Sequence, residues 1–338
     1  MTAPARTLVA RLDSVGDVLL AGPAVAALAE LGPVDMLCSH IGAPAARLLP
    51  GVDQVLQFDS PWVLRDAPAV DPTTVGRLVE QVASRNYARG AILTSSHQSS
   101  LPLALVLRLA GVPELAAVSL DYPGRLLDHR IPGDPDVHEV ERALLVACAL
   151  GAPRPAAPVL AVRHDASVAP HRDRLVVHPG SAAPARTLSA ATWRDVVAGA
   201  ASRGMDVVVT AGPGEAELCA TVTAGGTAAR VVRPSSLAEL ADVLASAAVV
   251  ASGNTGPMHL AAAVGRPVVA AFAPTVPVER WRPWAVPHVV LGDDTVPCRL
   301  CRHVTCPLPV QHCLAGVDAD TVLGAVAALA RPLMEVAS

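Results

Sequence analysis

The 338-residue chain contains no lysine; all 26 of its Lys and Arg positions are arginine. Any basic role is therefore taken by a planar guanidinium or is missing. Aromatic residues are almost as scarce, at 2% of the chain. With no basic stripe interleaved with aromatics, a formal charge of −4 and a pI near 6.2, the sequence lacks the electrostatic footprint of a nucleic-acid binder. Long apolar runs are missing too: 52% of residues are hydrophobic, but Gly, Pro or charge breaks each run, well before the ~18 residues of a membrane span. The opening MTAPARTLVARLDS has no apolar stretch ahead of a small-residue cleavage site and runs straight into a strand-like segment. These absences point to a cytoplasmic protein that does not partner nucleic acid. They leave peripheral membrane contact and the oligomeric state open.

What is present is alternation. ARTLVARL (5–12), VDMLCSH (34–40) and GAILTSS (90–96) read as strands, and 18–31, 75–86, 100–111 and 138–151 as helices. A proline-rich stretch with little periodicity, 151–173, suits a linker. The alternation then restarts, with strands over 174–180, 205–212 and 266–273 and helices over 191–204 and 236–247. Strands alternating with helices imply an α/β fold with parallel sheets covered on both faces. A chain of this length also exceeds what one hydrophobic core supports. Two doubly wound, Rossmann-like domains facing a cleft are expected, 1–165 and 166–338, with a last helix (about 318–336) packing back on the first.

In open parallel sheets, ligands gather beyond the carboxyl ends of the strands, where loops lead into helices. That selects loops 13–17, 94–98, 180–187, 212–215 and 252–259. In RLDSVGDVLLAGP (11–23), Ser14 and Gly16 form a tight turn and Asp17 opens a helix; the spacing fits a helix cap and equally a carboxylate facing the strand ends. In SGNTGPMHLAAAVGRP (252–267), Gly253 and Gly256 allow close backbone approach. The amides of Thr255, Gly256 and the next turn, with His259, could meet an anion at the helix N-terminus. An Asn/Thr cap with a satisfied imidazole fits the same residues. In HPGSAAPARTLSAATW (178–193), Ser181 lies in a turn and Arg186 offers a fork of donors suited to phosphate, or a solvated loop charge. AGPGEAE (211–217) holds Gly212 and Glu215 in a glycine turn too short for a dinucleotide fingerprint.

Four of the seven cysteines fall in TVPCRLCRHVTCPLPVQHC (295–313) as Cys298, Cys301, Cys306 and Cys313, with His303 and His312 between them. Structural zinc fits this clustering, as do an oxidised pair and free thiols. A catalytic zinc is not expected.

Together RLDSVGDVLLAGPAVAAL, HEVERALLVACALG, HPGSAAPARTLSAATW and SGNTGPMHLAAAVGRPVVAAFAPTVPVERWRPW resemble the family 9 glycosyltransferases, the ADP-heptose:lipopolysaccharide heptosyltransferases and their relatives. The likeness runs in order along nearly the whole chain. It implies a GT-B fold, with the acceptor on the N-terminal side and the nucleotide-sugar on the C-terminal side. It also implies inverting transfer that needs no cofactor, with Asp17 as the base that takes the acceptor's proton. On the donor side it maps the leaving diphosphate onto Ser181, Arg186, Thr255, Gly256, Met258 and His259, and, less firmly tied, the sugar or nucleotide onto Asn254, Glu215 and Gly212. Pro257 has no N–H, so Met258 is expected as the donor in its place. Ser14, Gly16 and His97 are the acceptor-side candidates. Two positions depart from the family pattern: Arg186 stands where Lys is common, and Asn254 where Asp is common. The lysine-free composition hints at a high-GC source without lipid A, and so at a cell-envelope glycan or specialised metabolite as acceptor. A transferase using another nucleotide-hexose and a non-catalytic nucleotide-binding GT-B protein are the alternatives.

Overall fold

The computed structural model describes residues 5–65, 67–133, 136–225 and 228–335. It divides into two compact units, Met1–Ala161 and Val162–Ser338, within the proline-rich stretch and a few residues before the expected boundary. The first unit runs β1 (Thr7–Ala10), α1 (Val15–Leu20), α2 (Gly22–Ala29), β2 (Val34–Cys38), α3 (Ala43–Leu48), β3 (Val52–Gln57), α4 (Pro72–Ala83), β4 (Arg89–Ile92), α5 (Leu101–Leu109), β5 (Glu114–Val118), β6 (His129–Ile131) and α6 (Glu139–Ala149). Its strands lie in the order β3-β2-β1-β4-β5-β6, and each neighbouring pair is parallel. The central strands are short and largely apolar, as a sheet sandwiched between helices requires, with the buried Asp35 of β2 held by Arg6 and Tyr87.

One expected helix, 18–31, is two. Pro23 cannot donate to the ladder and its ring crowds the carbonyl four residues back, so the helix breaks after Leu20 and restarts at Gly22. The first piece begins at Val15, which places Asp17 in its first turn.

The second unit runs β7 (Arg174–His178), a 3-10 turn (Pro184–Arg186), α7 (Ala190–Ser202), β8 (Asp206–Thr210), α8 (Ala216–Val222), β9 (Arg230–Val232), α9 (Leu237–Ala245), β10 (Val249–Gly253), α10 (Gly256–Ala263), β11 (Val268–Ala271), α11 (Val278–Trp281), β12 (His288–Leu291), α12 (His312–Ala315) and α13 (Ala319–Glu335). Its parallel order, β12-β11-β10-β7-β8-β9, repeats that of the first sheet, with β7 in the place of β1 and β10 in that of β4. Helix starts are fixed locally: Ser189 accepts from Thr192 N at 3.1 Å and Ser236 from Glu239 N at 3.1 Å. After α7 the chain turns through Gly204 at φ +79°, a conformation that a side chain would strain.

The core of this unit joins Leu175 and Val177 on β7, Trp193 on α7 and Val209 on β8 to Ala251, Val269 and Leu314. Helix α13 contributes Val322, Leu323 and Val326 to the same core and packs on α7. The last residue of the expected closing helix, 336, lies outside the described residues. Among the described residues no helix is long and apolar enough to cross a membrane.

Candidate active site

In each sheet the chain reverses its winding between two central strands, β1 and β4 in the first and β7 and β10 in the second. Loops leaving such a pair diverge to opposite faces and open a crevice at the strands' carboxyl ends. The candidate residues gather at these two points.

In the first unit, Arg11 follows β1 directly and its guanidinium serves three carboxylates. It lies 2.9 Å from Asp13, 2.9 Å from Asp17 and 3.3 Å from Glu139 at the start of α6. The loop after β4 closes the cluster: Arg11 donates to Ser95 Oγ at 2.9 Å, Ser95 Oγ donates to Asp13 at 3.2 Å, and Gln98 Nε2 donates to the other Asp13 oxygen. Burial opposes the charge on Arg11, but Asp13, Asp17 and Glu139 together outweigh it and hold the guanidinium above its ordinary range. For Asp13 burial wins over the pull of Arg11, and its carboxyl is held above the usual aspartate value.

Exposure separates the three carboxylates. The side chains of Asp13 and Glu139 retain 8% and 1% of their surface, whereas Asp17 retains 17%. Asp17 is therefore the most accessible carboxylate of the cluster. It also braces its own turn, accepting from Ser14 Oγ at 2.7 Å and Ser14 N at 3.4 Å. Asp17 thus belongs to the capping box of α1 while its other oxygen faces Arg11. Gly16 is buried beneath this turn, and Ser14 and His97 are exposed. Arg11, Asp13, Ser95, Gln98 and Glu139 escape sequence reasoning because no spacing rule joins residue 11 to residue 139. The available signal is a charged residue at the exit of an otherwise apolar strand.

In the second unit the turn after β10 lies against the 3-10 turn. Asn254 N donates to Arg186 O at 3.2 Å, and a Cβ on Gly253 would overlap that same carbonyl oxygen. Thr187 Oγ1 donates to Pro179 O at 2.8 Å and accepts from the indole of buried Trp193 at 2.9 Å, which fixes the segment bearing Arg186. Ser181 Oγ accepts from Ala183 N at 3.0 Å in the same loop. Thr255 is the extended N-cap residue of α10, and its side chain makes no capping bond. Gly256 is the first helical residue, so its amide is among those a helix leaves without an internal partner. The Met258 amide, in contrast, donates to Thr255 O at 3.1 Å. Its expected role as a ligand donor is corrected to that extent, because the helix itself uses this N–H. His259 is buried in the same turn.

Two residues at this edge carry buried oxygens with no hydrogen-bond partner, Asn254 Oδ1 and Thr255 Oγ1; Thr275 Oγ1, after β11, is a third. Beside them, Glu215 folds back to accept from Gly212 N at 2.6 Å and approaches His178 to 4.0 Å. It lies so close across Gly180 that a side chain there would collide with it. Burial pushes His178 below the ordinary histidine value, against the opposing field of Glu215.

The cysteine-rich segment adjoins this site. Ala185 N donates to Val304 O at 2.8 Å, Gln311 Nε2 donates to Ala185 O at 2.8 Å, and Leu300 N and Arg302 N donate to Pro274 O and Thr275 O. Cys298, Cys301, Cys306 and Cys313 are free thiols lining a small, partly open cleft with room for little more than a water molecule, about 20 Å³. Among the described residues no three His, Cys, Asp or Glu side chains are grouped to hold a metal ion. The zinc expectation is corrected accordingly: these thiols surround a space without converging as a ligand set. Burial, with the neighbouring Cys298 and Cys306, raises the Cys313 thiol.

The profile of glycosyltransferase family 9 (heptosyltransferase) matches residues 76–312, from α4 to α12. The chain belongs to glycosyltransferase family 9. Solved structures similar to this family 9 enzyme over nearly its whole length share the GT-B fold. ADP-heptose lipopolysaccharide heptosyltransferase II of E. coli is 18% identical, with 97% of this chain and 99% of that one covered and a TM-score of 0.74. A family 9 glycosyltransferase of Veillonella parvula is 17% identical, with 98% and 99% covered and a TM-score of 0.79. E. coli heptosyltransferase WaaC with ADP-2-deoxy-2-fluoro heptose is 21% identical, with 96% and 99% covered and a TM-score of 0.71.

Proposed function

We propose that this family 9 glycosyltransferase moves a heptose-like sugar from an ADP-activated donor to an acceptor hydroxyl, with inversion and without a catalytic metal. The observation that carries the reading is the selective exposure of Asp17 among the carboxylates around Arg11. Asp17 takes the hydroxyl proton as the acceptor oxygen forms its bond to the anomeric carbon. The bond from that carbon to the diphosphate breaks, and ADP leaves with the electron pair. The departing charge is met by the Gly256 amide at the start of α10, with Thr255 and His259 beside it, by Ser181 and by the Arg186 guanidinium, so that preorganised donors do what a metal does elsewhere. Glu215 and Gly212 are assigned to the nucleoside, Asn254 to the sugar, and Ser14, Gly16 and His97 to the acceptor. The ADP-heptose enzymes among the similar structures support the donor class. The acceptor is a cell-envelope glycan or a specialised metabolite, and the enzyme works in the cytoplasm.

One observation favours a different nucleotide-hexose as the alternative donor. Asn254 puts a neutral amide where the family commonly has a carboxylate, and its buried Oδ1 awaits a donor such as a sugar hydroxyl.

Thermal shift with ADP, UDP and GDP, followed by donor consumption in Asp17→Asn, tests both parts. ADP should stabilise the enzyme most, by about 2.7 kcal/mol at a hundredfold excess over Kd. Asp17→Asn should keep this stabilisation and lose transfer. Turnover at the unaltered rate in Asp17→Asn would remove the base, and preference for UDP or GDP would replace the donor.

A further inference from the structure

The cluster around Arg11 holds more charge than proton abstraction by a single carboxylate needs. Three carboxylates face one guanidinium, all within 3.3 Å of it. A carboxylate paired alone with an arginine is a weak base, because the cation favours the ionised form. Here Asp13 and Glu139 share that cation and add two negative charges close to Asp17. Proton uptake by Asp17 then relieves repulsion within a poorly hydrated cluster.

We infer that Arg11 is a positioning residue that fixes the direction of the Asp17 carboxylate, and that Asp13 and Glu139 keep Asp17 able to accept a proton by opposing Arg11's charge. This rests on the proposed role of Asp17 as base. Geometry assigns the parts. One Arg11 amino group binds Asp17 Oδ1 and Ser95 Oγ together, while Ser14 holds Asp17 Oδ2, so both carboxylate oxygens are fixed in direction. Asp13 is in turn held by Ser95 and Gln98, and Glu139 by its place at the N-terminus of α6.

The charged groups on the elements packed against α1 are few. Helix α2 carries none, α3 carries Arg47, and α6 carries Glu139, Glu141 and Arg142. Of these, Glu141 pairs with Arg154, and Arg142 donates to Thr94 O at 3.3 Å. His138 caps α6, and His97 lies in the loop after β4.

The test follows the Asp17 carboxyl by ¹³C NMR in aspartate-labelled full-length protein, assigned by the signal lost in Asp17→Asn. Asp13→Asn and Glu139→Gln, which keep shape and remove charge, should each lower the Asp17 midpoint, by about 1 pH unit for Asp13→Asn. The acidic limb of ADP release from ADP-heptose should move with it. Arg11→Lys keeps the charge but not the fork; it should leave the midpoint within a few tenths of a unit and cut kcat about tenfold or more. An Asp17 midpoint unmoved in both isosteric variants overturns the inference. If the midpoint moves but Asp17→Asn still turns over, the network stands and the assignment of Asp17 as base is what fails.

Discussion

Asp13 is the residue whose protonation links the site to stability. Burial holds its carboxyl above the ordinary value of 3.8. A carboxyl raised in the folded state binds its proton more readily there than in the unfolded chain, so folding is favoured at low pH. That advantage is lost as pH rises from 3.8 through the folded-state midpoint, and above it the buried charge costs stability. Asp13→Asn removes the cost while Asp17 and Glu139 still satisfy Arg11. Urea unfolding at about pH 4 and pH 7 should therefore show the variant gaining on the wild type at the higher pH. A variant that loses ground at neutral pH would mean that Arg11 needs the Asp13 charge to stay buried.

At the scale of elements, the turn after β10 depends on one close approach. Gly253→Ala must push the Arg186 carbonyl away, at a cost of about 1–3 kcal/mol typical of overpacking. Because Asn254 N bonds that carbonyl, the 3-10 turn and the start of α10 should separate. Calorimetry should then show ADP binding at least tenfold weaker in a protein that still folds; unchanged affinity would detach Arg186 from the anion site. Of the inner strands, β5 (ELAAV) was not read as a strand, being a short run that opens on Glu114 just after Gly111 and Pro113; the others, and the long helices, were legible because each is an apolar run or a helical pattern. Strand β3, VDQVLQ, was not: it lies at a sheet edge with much of its surface exposed, so no apolar run marks it. Nor were β6, only three residues long, or β12, whose HVVL follows a proline-rich bend. Asp17, Arg186 and the α10 turn could be singled out from their loops, with their roles left open between cap or loop charge and ligand contact, but Arg11's partnership with Glu139 exists only once β1 and α6 are folded together.

At the scale of the whole molecule, each unit owns a parallel sheet and a core. The second unit's core is complete within residues 162–338, from Leu175 on β7 to Val326 on α13. That unit produced alone should melt cooperatively and be stabilised by ADP, since every residue assigned to the donor lies within it. Truncation before residue 318 should abolish the transition, because it strips Val322, Leu323 and Val326 from beneath the sheet. A cooperative melt that survives truncation would show the last helix to be dispensable. Failure of residues 162–338 to fold would show that its core is insufficient alone.

The cysteine-rich segment grips Ala185 within Arg186's turn and the backbone of Pro274 and Thr275 after β11, and two of its thiols, Cys298 and Cys301, are open to solvent. A reagent attached to either thiol would lie beside Ala185 and Thr275, which line the same cleft. Alkylation of these two thiols should therefore weaken ADP binding, without competing for the nucleotide's place, if the proposed role of Arg186 holds.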